Sequence, residues 1–289
     1  MLYDILALVL AIFVAPVAGG LLRGVDRRLT ARLQGRIGPP ILQPFYDFFK
    51  LLGKSRLVSS RENLIWAWAY LVLTVAALIL FSLGQDLLVI FFMLAFAGAS
   101  LAFGAFSVKS PYSHFGAYRE IMQMLSYEPI LLLAAVAIFL ETGSFMVADV
   151  LSHGGPLLVF LPLAFLAVLI ALGIKMRKSP FDIAASEHAH QEIVRGVYTE
   201  YSGPFLALIE LTHWYELMLI LGFIALFWAQ PLWLGALLAL GCFILEILID
   251  NIAARLRWSW MVGVSWVLGV GLLLANIVII QVAGYGPGL

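Results

Sequence analysis

Long runs of uncharged, apolar residues set the strongest limit on how this chain folds. A helix needs roughly 20 apolar residues to cross a bilayer, and the chain has eight such runs. They lie at residues 5–22, 64–84, 87–106, 129–148, 156–174, 203–228, 232–249 and 261–282. Only 12% of the residues are charged, against about 25% in an ordinary soluble domain. The sequence therefore predicts an all-α integral membrane protein with one polytopic domain, residues 1–289.

Every lysine and arginine falls on one side of this eight-span arrangement. All 17 lie in the connections that follow spans one, three, five and seven, and the other connections contain none. Basic residues collect on the cytoplasmic side of membrane proteins, so both termini are predicted to be outside. One span more or fewer would scatter the charges over both faces.

The connection after the first span, residues 23–62, combines a rigid loop with a short amphipathic helix. Two adjacent prolines end the loop Gly35–Pro40 and prevent it from being helical. A helix beginning near Pro44 places its phenylalanines on one face and its charges elsewhere, as interfacial helices do. The spacing favours an anchor in the lipid interface over the alternative, a lid beneath a cytoplasmic partner.

The connection after the fifth span, residues 175–202, has the richest polar sequence. Glu187, His188, His190 and Glu192 stand close together in it. Residues two apart point in different directions on a helix, and no thiolate accompanies the histidines. Polar groups lining a cavity, with histidines that carry protons near neutral pH, are therefore favoured over a metal site. The chain's single cysteine cannot ligate an iron–sulfur cluster alone.

Acidic residues also occur inside the predicted spans, where charge usually faces a cavity or a partner. Glu210, His213 and Glu216 step by three residues in span six, so neighbouring members lie side by side on the helix. Glu246 and Asp250 stack one turn apart in span seven. Two interpretations remain open: a route for protons or ions, and simple pairing with the arginines at positions 119 and 195. The excess of acids over bases in the spans favours the route.

Several short motifs occur in an order that resembles a known family. They are Arg36-Ile37-Gly38-Pro39, Leu42-Gln43-Pro44 with Lys50-Leu51, Ser126-Tyr127-Glu128, Pro180-Phe181-Asp182 and Thr199-Glu200-Tyr201-Ser202-Gly203. Together they resemble the signatures of the subunit 1/H family of respiratory complex I, over essentially the whole chain. The stretch Ser186–Val194 instead looks like the ion-pumping group 4 nickel–iron hydrogenases, which often have histidine where this chain has Glu187.

This resemblance implies a membrane subunit of a ferredoxin-linked energy-converting hydrogenase in the cell membrane of a prokaryote. The implied partners are the hydrogenase large and small subunits, an iron–sulfur ferredoxin-like subunit and antiporter-like membrane subunits. Those partners would hold the nickel–iron centre and the iron–sulfur clusters, and this chain would hold no cofactor and no catalytic centre. The chain is expected to be surrounded by a lipid bilayer and to bind neither a quinone nor nucleic acid.

The buried acids and the resemblance together predict two groups of site residues. The predicted proton path comprises Glu120, Glu128, Glu141, Glu192, Glu200, Glu210, His213 and Glu216. The side chains predicted to line a cytoplasmic cavity or to contact a partner are Arg36, Arg119, Asp182, Glu187, His188, His190 and Arg195.

Three other functions compete with this interpretation. A quinone-binding subunit of complex I or a related dehydrogenase is disfavoured by the His-Ala-His-Gln stretch that begins at His188. A passive anchor is disfavoured because it needs only apolar helices. A stand-alone secondary transporter would have inverted repeats and broken helices, and the sequence shows neither.

Overall fold

Helices make up most of the chain in a computed structural model, which describes residues 2–56, 60–183 and 195–283. In chain order they are α1 (Leu2–Val9, Leu10–Val14 and Ala15–Leu33, one continuous rod), α2 (Gln43–Leu52), α3 (Arg61–Ser82), α4 (Leu87–Phe106), α5 (Pro111–Thr142), α6 (Val147–Ser152), α7 (Leu157–Phe160), α8 (Pro162–Lys175), α9 (Gly203–Ala225), α10 (Leu232–Ile252) and α11 (Trp258–Val264, Ser265–Val270 and Gly271–Ala283). The predicted all-α membrane architecture is confirmed.

Seven of the described helices are long and apolar enough to cross a membrane: α1, α3, α4, α5, α9, α10 and α11. The remaining predicted span, residues 156–174, is divided between the four-residue helix α7 and the 14-residue helix α8. The described part of the chain thus has seven long spans plus a broken one, so the predicted count of eight spans is not confirmed.

The break between α7 and α8 lies at Leu161, whose backbone leaves the helical region just before Pro162. Proline cannot donate a backbone hydrogen bond, which leaves polar backbone groups unpaired among apolar helices. Asn276 on α11 pairs them: its Oδ1 accepts from Leu163 N at 3.0 Å and Ala164 N at 2.9 Å, and its Nδ2 donates to Phe160 O at 3.2 Å. One buried side chain on α11 therefore caps the broken span on both sides of the break.

Helix α5 differs most from the prediction, which placed a connection at residues 107–128 and a span at 129–148. The helix instead runs 32 residues from Pro111 to Thr142 with Pro129 inside it. At 1.5 Å per residue it is about 48 Å long, well beyond a hydrocarbon core of about 30 Å. It ends at Gly143, whose φ of 77° is left-handed. The charged residues near its start were predicted to lie in a connection. They lie in the helix instead, where they face other elements of the fold.

Helix α2 is present as predicted and packs against the middle of helix α9. Phe45 and Phe48 contact the ring of Trp214, with centroids 5.1 and 5.6 Å apart. Phe49 on the other side is 64% exposed. The predicted single aromatic face is thus divided: one part packs on the protein, and the other points outward.

A backbone clamp joins the loop after α3 to the loop after α5. Leu87 N donates to Phe145 O at 2.9 Å, and Val147 N donates to Gln85 O at 3.1 Å. Gly84 lies so close to this strand-like contact that a Cβ on it would be 2.8 Å from the Ala148 methyl carbon. The clamp fixes the two helix pairs at the end of the bundle opposite the charged residues described below.

Candidate functional site

Three basic residues at and just after the end of α8 form ion pairs with acids on four different helices. Lys175 is the last residue of α8, and Arg177 and Lys178 follow it. Arg177 has a left-handed backbone, with φ of 52°, which non-glycine residues seldom adopt. The turn sends the neighbouring side chains in different directions, so one short segment supplies positive charge to separate carboxylates.

Arg177 connects α5 to α9. Its Nη2 lies 2.6 Å from Glu120 Oε1, and its Nη1 lies 2.8 Å from His213 Nε2. Burial alone would lower the pKa of Arg177, but the neighbouring Glu120 carboxylate raises that pKa above its ordinary value. A guanidinium group only donates hydrogen bonds, so His213 Nε2 is the acceptor and the imidazole carries its proton on Nδ1.

Lys175 makes the second buried ion pair of the site. Its Nζ lies 2.8 Å from Glu216 Oε1, and both side chains are only 6% exposed. The same amine donates to the Tyr127 hydroxyl at 3.2 Å and lies 4.7 Å from the centre of that ring. The carboxylate of α9 and the phenol of α5 are therefore linked through one ammonium group.

Glu128 continues the row along α5, next to Tyr127. Its Oε1 is buried without a hydrogen-bond partner among the described residues. The carboxyl lines a small pocket with Phe91, Leu94 and Leu131. A carboxylate in such apolar surroundings favours its neutral form, so Glu128 is placed where a proton can reside.

Two tyrosines from the connection before α9 close the site. Tyr198 OH lies 2.9 Å from His213 Nε2. The turn that carries it packs directly on α5, because a Cβ on Gly116 would lie 2.4 Å from Val197 N. The hydroxyl of Tyr201 is buried beside Gly104, and that burial raises the pKa of Tyr201 above its ordinary value. The phenol of Tyr201 therefore remains neutral at physiological pH.

Two neighbouring cavities lie between α2 and the ion pairs. The inner one, about 60 Å³, is lined by His213, Glu216 and Lys175 among others. The outer one, about 260 Å³, is lined by side chains of α2 such as Lys50. Glu210, Trp214 and Arg195 line both. Since one water needs about 10–15 Å³ by this measure, the inner cavity has room for a short chain of waters.

The structure brings together most of the predicted proton path that it describes. Four of its members form one network: Glu120 and His213 both contact Arg177, Glu216 pairs with Lys175, and the half-buried Glu210 lines the same cavity as His213 and Glu216. Glu128 follows along α5 beyond them. Glu200 is half-buried just before α9 begins. Glu192 lies outside the described residues.

Glu141 is not part of this network. It is buried, at 7% exposure, in the last turn of α5, close to the backbone clamp at the opposite end of the bundle. The prediction placed it within a span because it extended span four to residue 148. The helix ends six residues earlier, at Thr142, which moves Glu141 to the end of the helix.

The residues predicted to line a cytoplasmic cavity or to contact a partner differ in their surroundings: some are paired with other residues and one is exposed. Arg195 lies 3.8 Å from Glu210, and Asp182 lies 3.3 Å from Arg255. Arg119 donates to the Ile183 carbonyl at 3.4 Å. Arg36 is exposed. Three further predicted residues lie outside the described ranges: Glu187, His188 and His190.

The basic run at Lys175 indicates topology in the sequence, and its part in the site was not predicted. Pairing of the acids with Arg119 or Arg195 was the alternative interpretation, and Arg195 does approach Glu210. The two shortest pairs to predicted path residues, however, come from Lys175 and Arg177. Three basic residues within four positions at the end of an apolar run were the available signal.

The family of the chain follows from comparison with known proteins. A family model described as NADH dehydrogenase matches residues 5–281. The chain belongs to that family. The resemblance to the subunit 1/H family of complex I, drawn from short motifs in the sequence, is thereby confirmed.

Relatives of known name fall into two groups. Hydrogenase-4 component C of Escherichia coli is 31% identical over 278 residues, 85% of this chain and 86% of that protein. Formate hydrogenlyase subunit 4 of Escherichia coli is 30% identical over 299 residues, covering 92% and 94%. An NADH-quinone oxidoreductase subunit of Syntrophobacter fumaroxidans is 29% identical over 294 residues, covering 88% of each. The chain is thus a membrane subunit of the complex I-like and hydrogenase-type complexes.

The fold also matches a solved structure of an archaeal respiratory membrane complex, the membrane-bound sulfane sulfur reductase. The TM-score is 0.87 with 24% sequence identity, and the match covers 96% of this chain and 99% of the other. At this identity the likeness shows the fold alone. It confirms that the bundle described above is the fold of one chain in a respiratory membrane complex.

Proposed function

We propose that this chain is the membrane-anchor and proton-path subunit of a ferredoxin-linked energy-converting hydrogenase. The observation that carries the proposal is the set of charged contacts that link α5 to α9 in two adjacent parts. Glu120, Arg177 and His213 form one part, and Glu216 with Lys175 forms the other. Buried ion pairs add little net stability, so helix attachment alone does not account for so many of them.

A network of this kind responds to nearby charge. In this network Arg177 balances Glu120 and Lys175 balances Glu216, so adding or removing charge on one member changes the proton affinity of the next. The acids then titrate as a set and not singly. A redox change in a partner subunit above the cavities would alter that balance and move a proton along the row towards Glu128.

The choice of a hydrogenase as the partner rests on the relatives and on sequence. Hydrogenase-4 component C and formate hydrogenlyase subunit 4 are as similar to this chain as the complex I subunits are. The sequence of Ser186–Val194, which lies outside the described residues, resembles that of the group 4 hydrogenases and so supports a hydrogenase as the partner. The nickel–iron centre and the iron–sulfur clusters belong to the partner subunits, and ferredoxin is the proposed electron donor.

A quinone-binding role is the second candidate, because several relatives are named as subunits of NADH-quinone oxidoreductase. The volumes of the two cavities can be compared with the volume that a quinone would need. Pockets for organic ligands usually have volumes of about 300–1,000 Å³, whereas the two here have about 60 and 260 Å³ within the described residues. These small volumes favour water over a quinone ring.

The test begins with the intact complex purified through this subunit, and its first readout is the identity of the co-purifying chains. Hydrogenase subunits are expected, and quinone bound to the purified complex would contradict the proposal. The complex is then placed in sealed vesicles, where hydrogen evolution from reduced ferredoxin and the pH change are recorded together. Glu216→Gln, which keeps the shape and removes the ionisable group, should lower the protons moved per hydrogen.

The matched control is Glu62→Gln. Glu62 lies in the first turn of α3, where it is exposed, so its loss should leave both readouts unchanged. A Glu216→Gln complex that assembles and pumps like the parent would favour the passive anchor instead.

A further inference from the structure

A second group of buried charges lies apart from the row that begins at Glu120. It joins α1, α8 and α10 through Lys178, which is 6% exposed. The amine of Lys178 is in close contact with Asp26 Oδ1 and lies 3.5 Å from Asp250 Oδ2. Arg23 approaches Asp26 from one turn away at 3.7 Å. None of these four residues belongs to the predicted proton path.

Glu246 is the member of this group without a pairing partner in the part of the chain that the structure describes. It is 4% exposed and lies one helical turn from Asp250 on α10. Its carboxylate faces α8 at a glycine: a Cβ on Gly173 would lie 2.8 Å from Glu246 Oε2. The charged groups that act on it are Lys178 and Asp250, and Cys242 lies a turn further along the same helix.

The charges around Glu246 do not balance if every acid is ionised. Lys178 already serves two carboxylates, so a third anion beside it would be buried without compensation. Burying an unpaired carboxylate is costly, and the group takes up a proton instead. The glycine on α8 supplies the space that a carboxyl group needs.

We propose that Glu246 is a proton-binding residue whose occupancy is set by Lys178, which is held between Asp26 and Asp250. When the amine moves from Asp26 towards α10, Glu246 releases its proton; when the amine returns, Glu246 takes up a proton. The step forms or breaks one O–H bond, with water or a neighbouring carboxylate as the other partner. No electron is transferred in this step.

The position of Lys178 couples this group to the first one. It follows Arg177, which has the left-handed backbone, and lies three residues after Lys175. A change in the pairing of either of those cations moves the segment that carries Lys178. Proton occupancy of Glu246 is independent of the proposed function, whereas its part in pumping rests on that function.

The test for occupancy is infrared difference spectroscopy of the whole purified complex, which detects the C=O stretch of a protonated carboxyl group. The spectrum of the parent complex minus that of Glu246→Gln should contain such a band at neutral pH. The control difference, parent minus Glu62→Gln, should contain none. Absence of the band from the first difference would overturn the proposal, because bands from other protonated acids such as Glu128 cancel in it.

Asp250→Asn tests the role of the neighbours and does not depend on the behaviour of Glu246→Gln. It removes a negative charge and frees Lys178 to turn to Glu246, so the proton affinity of Glu246 should fall about tenfold, about one pH unit. The midpoint at which the band disappears should therefore shift to lower pH. An unchanged or higher midpoint would contradict control by Lys178.

Vesicle assays then separate the two proposals. If the parent complex pumps and Glu246→Gln lowers the protons moved per hydrogen, the residue takes part in pumping. Normal pumping by Glu246→Gln would overturn that part. If the parent complex moves no protons at all, the proposed function fails, and the infrared result alone decides whether Glu246 binds a proton.

Discussion

Arg177 and Glu120 stand 57 positions apart in the chain, and their side chains meet at 2.6 Å. Both are buried, at 14% and 3% side-chain exposure. The contact fastens the segment after α8 to the first third of the long helix α5. It also fixes the guanidinium group against His213, so the pair determines the geometry of the whole site.

Replacing Arg177 by Met should destabilise the protein by about 3–5 kcal/mol, because Glu120 would remain buried without its partner. Thermal unfolding of the purified complex in detergent measures this. Glu120→Gln in the same chain should recover part of the loss, since the uncompensated charge is then removed. Equal destabilisation in the single and double variants would show that the charge of Glu120 is not the cause.

Asn276→Leu should destabilise the bundle by about 2 kcal/mol or more, because two backbone N–H groups and one carbonyl at the broken span lose their partner. Unfolding in detergent again gives the measurement. The control is Val278→Leu on the same helix, at a side chain that is 57% exposed, and it should change little. Similar stability of the two variants would rule out the capping role of Asn276.

Gly116→Ala should lower both stability and coupled turnover. The new methyl group would meet the backbone of Val197 at 2.4 Å, which forces the turn away from α5 and moves Tyr198 from His213. A loss of about 1–3 kcal/mol is typical of such overpacking. Gly263→Ala, where nothing lies within 4 Å of the added atom, should be neutral or slightly stabilising, and serves as the comparison.

Single cysteines replacing Arg56 and Asp149 should label from opposite sides of the membrane. Both positions are exposed, and the native Cys242 is 5% exposed and so reacts little. The prediction follows from the placement of all 17 basic residues. Labelling of both positions by the same impermeant reagent in sealed vesicles would refute the eight-span model.

The sequence predicted the long apolar helices well because hydrophobicity over 20 residues is a strong, local signal. Helix α4, Leu87–Phe106, has the predicted bounds, and α9 and α10 begin where they were expected to begin. Helix α5 was misjudged because its charged half is helical but is paired with other elements. The break at Leu161 depends on Asn276, which is 115 residues away and therefore gives no local signal.

The acids of the candidate site and Arg195 were predicted from the sequence, but the two cations that pair with Glu120 and Glu216 were not. The spacing of Glu210, His213 and Glu216 on one helix was sufficient to identify them as a group. Their partners, Lys175 and Arg177, lie in a turn whose direction depends on a left-handed backbone. Periodicity cannot reveal such a turn, so the ion pairs required the folded chain.

The backbone clamp at Gly84 and Ala148 gives the two ends of the molecule different mechanical characters. Hydrogen bonds between amides and carbonyls do not change when protons arrive or leave, so the clamp itself does not depend on pH. The opposite end is held by ammonium and carboxylate groups, whose attraction disappears whenever one acid is neutralised. A proton that neutralises Glu120 or Glu216 therefore loosens the end bearing Lys175 and Arg177 while the clamp stays closed.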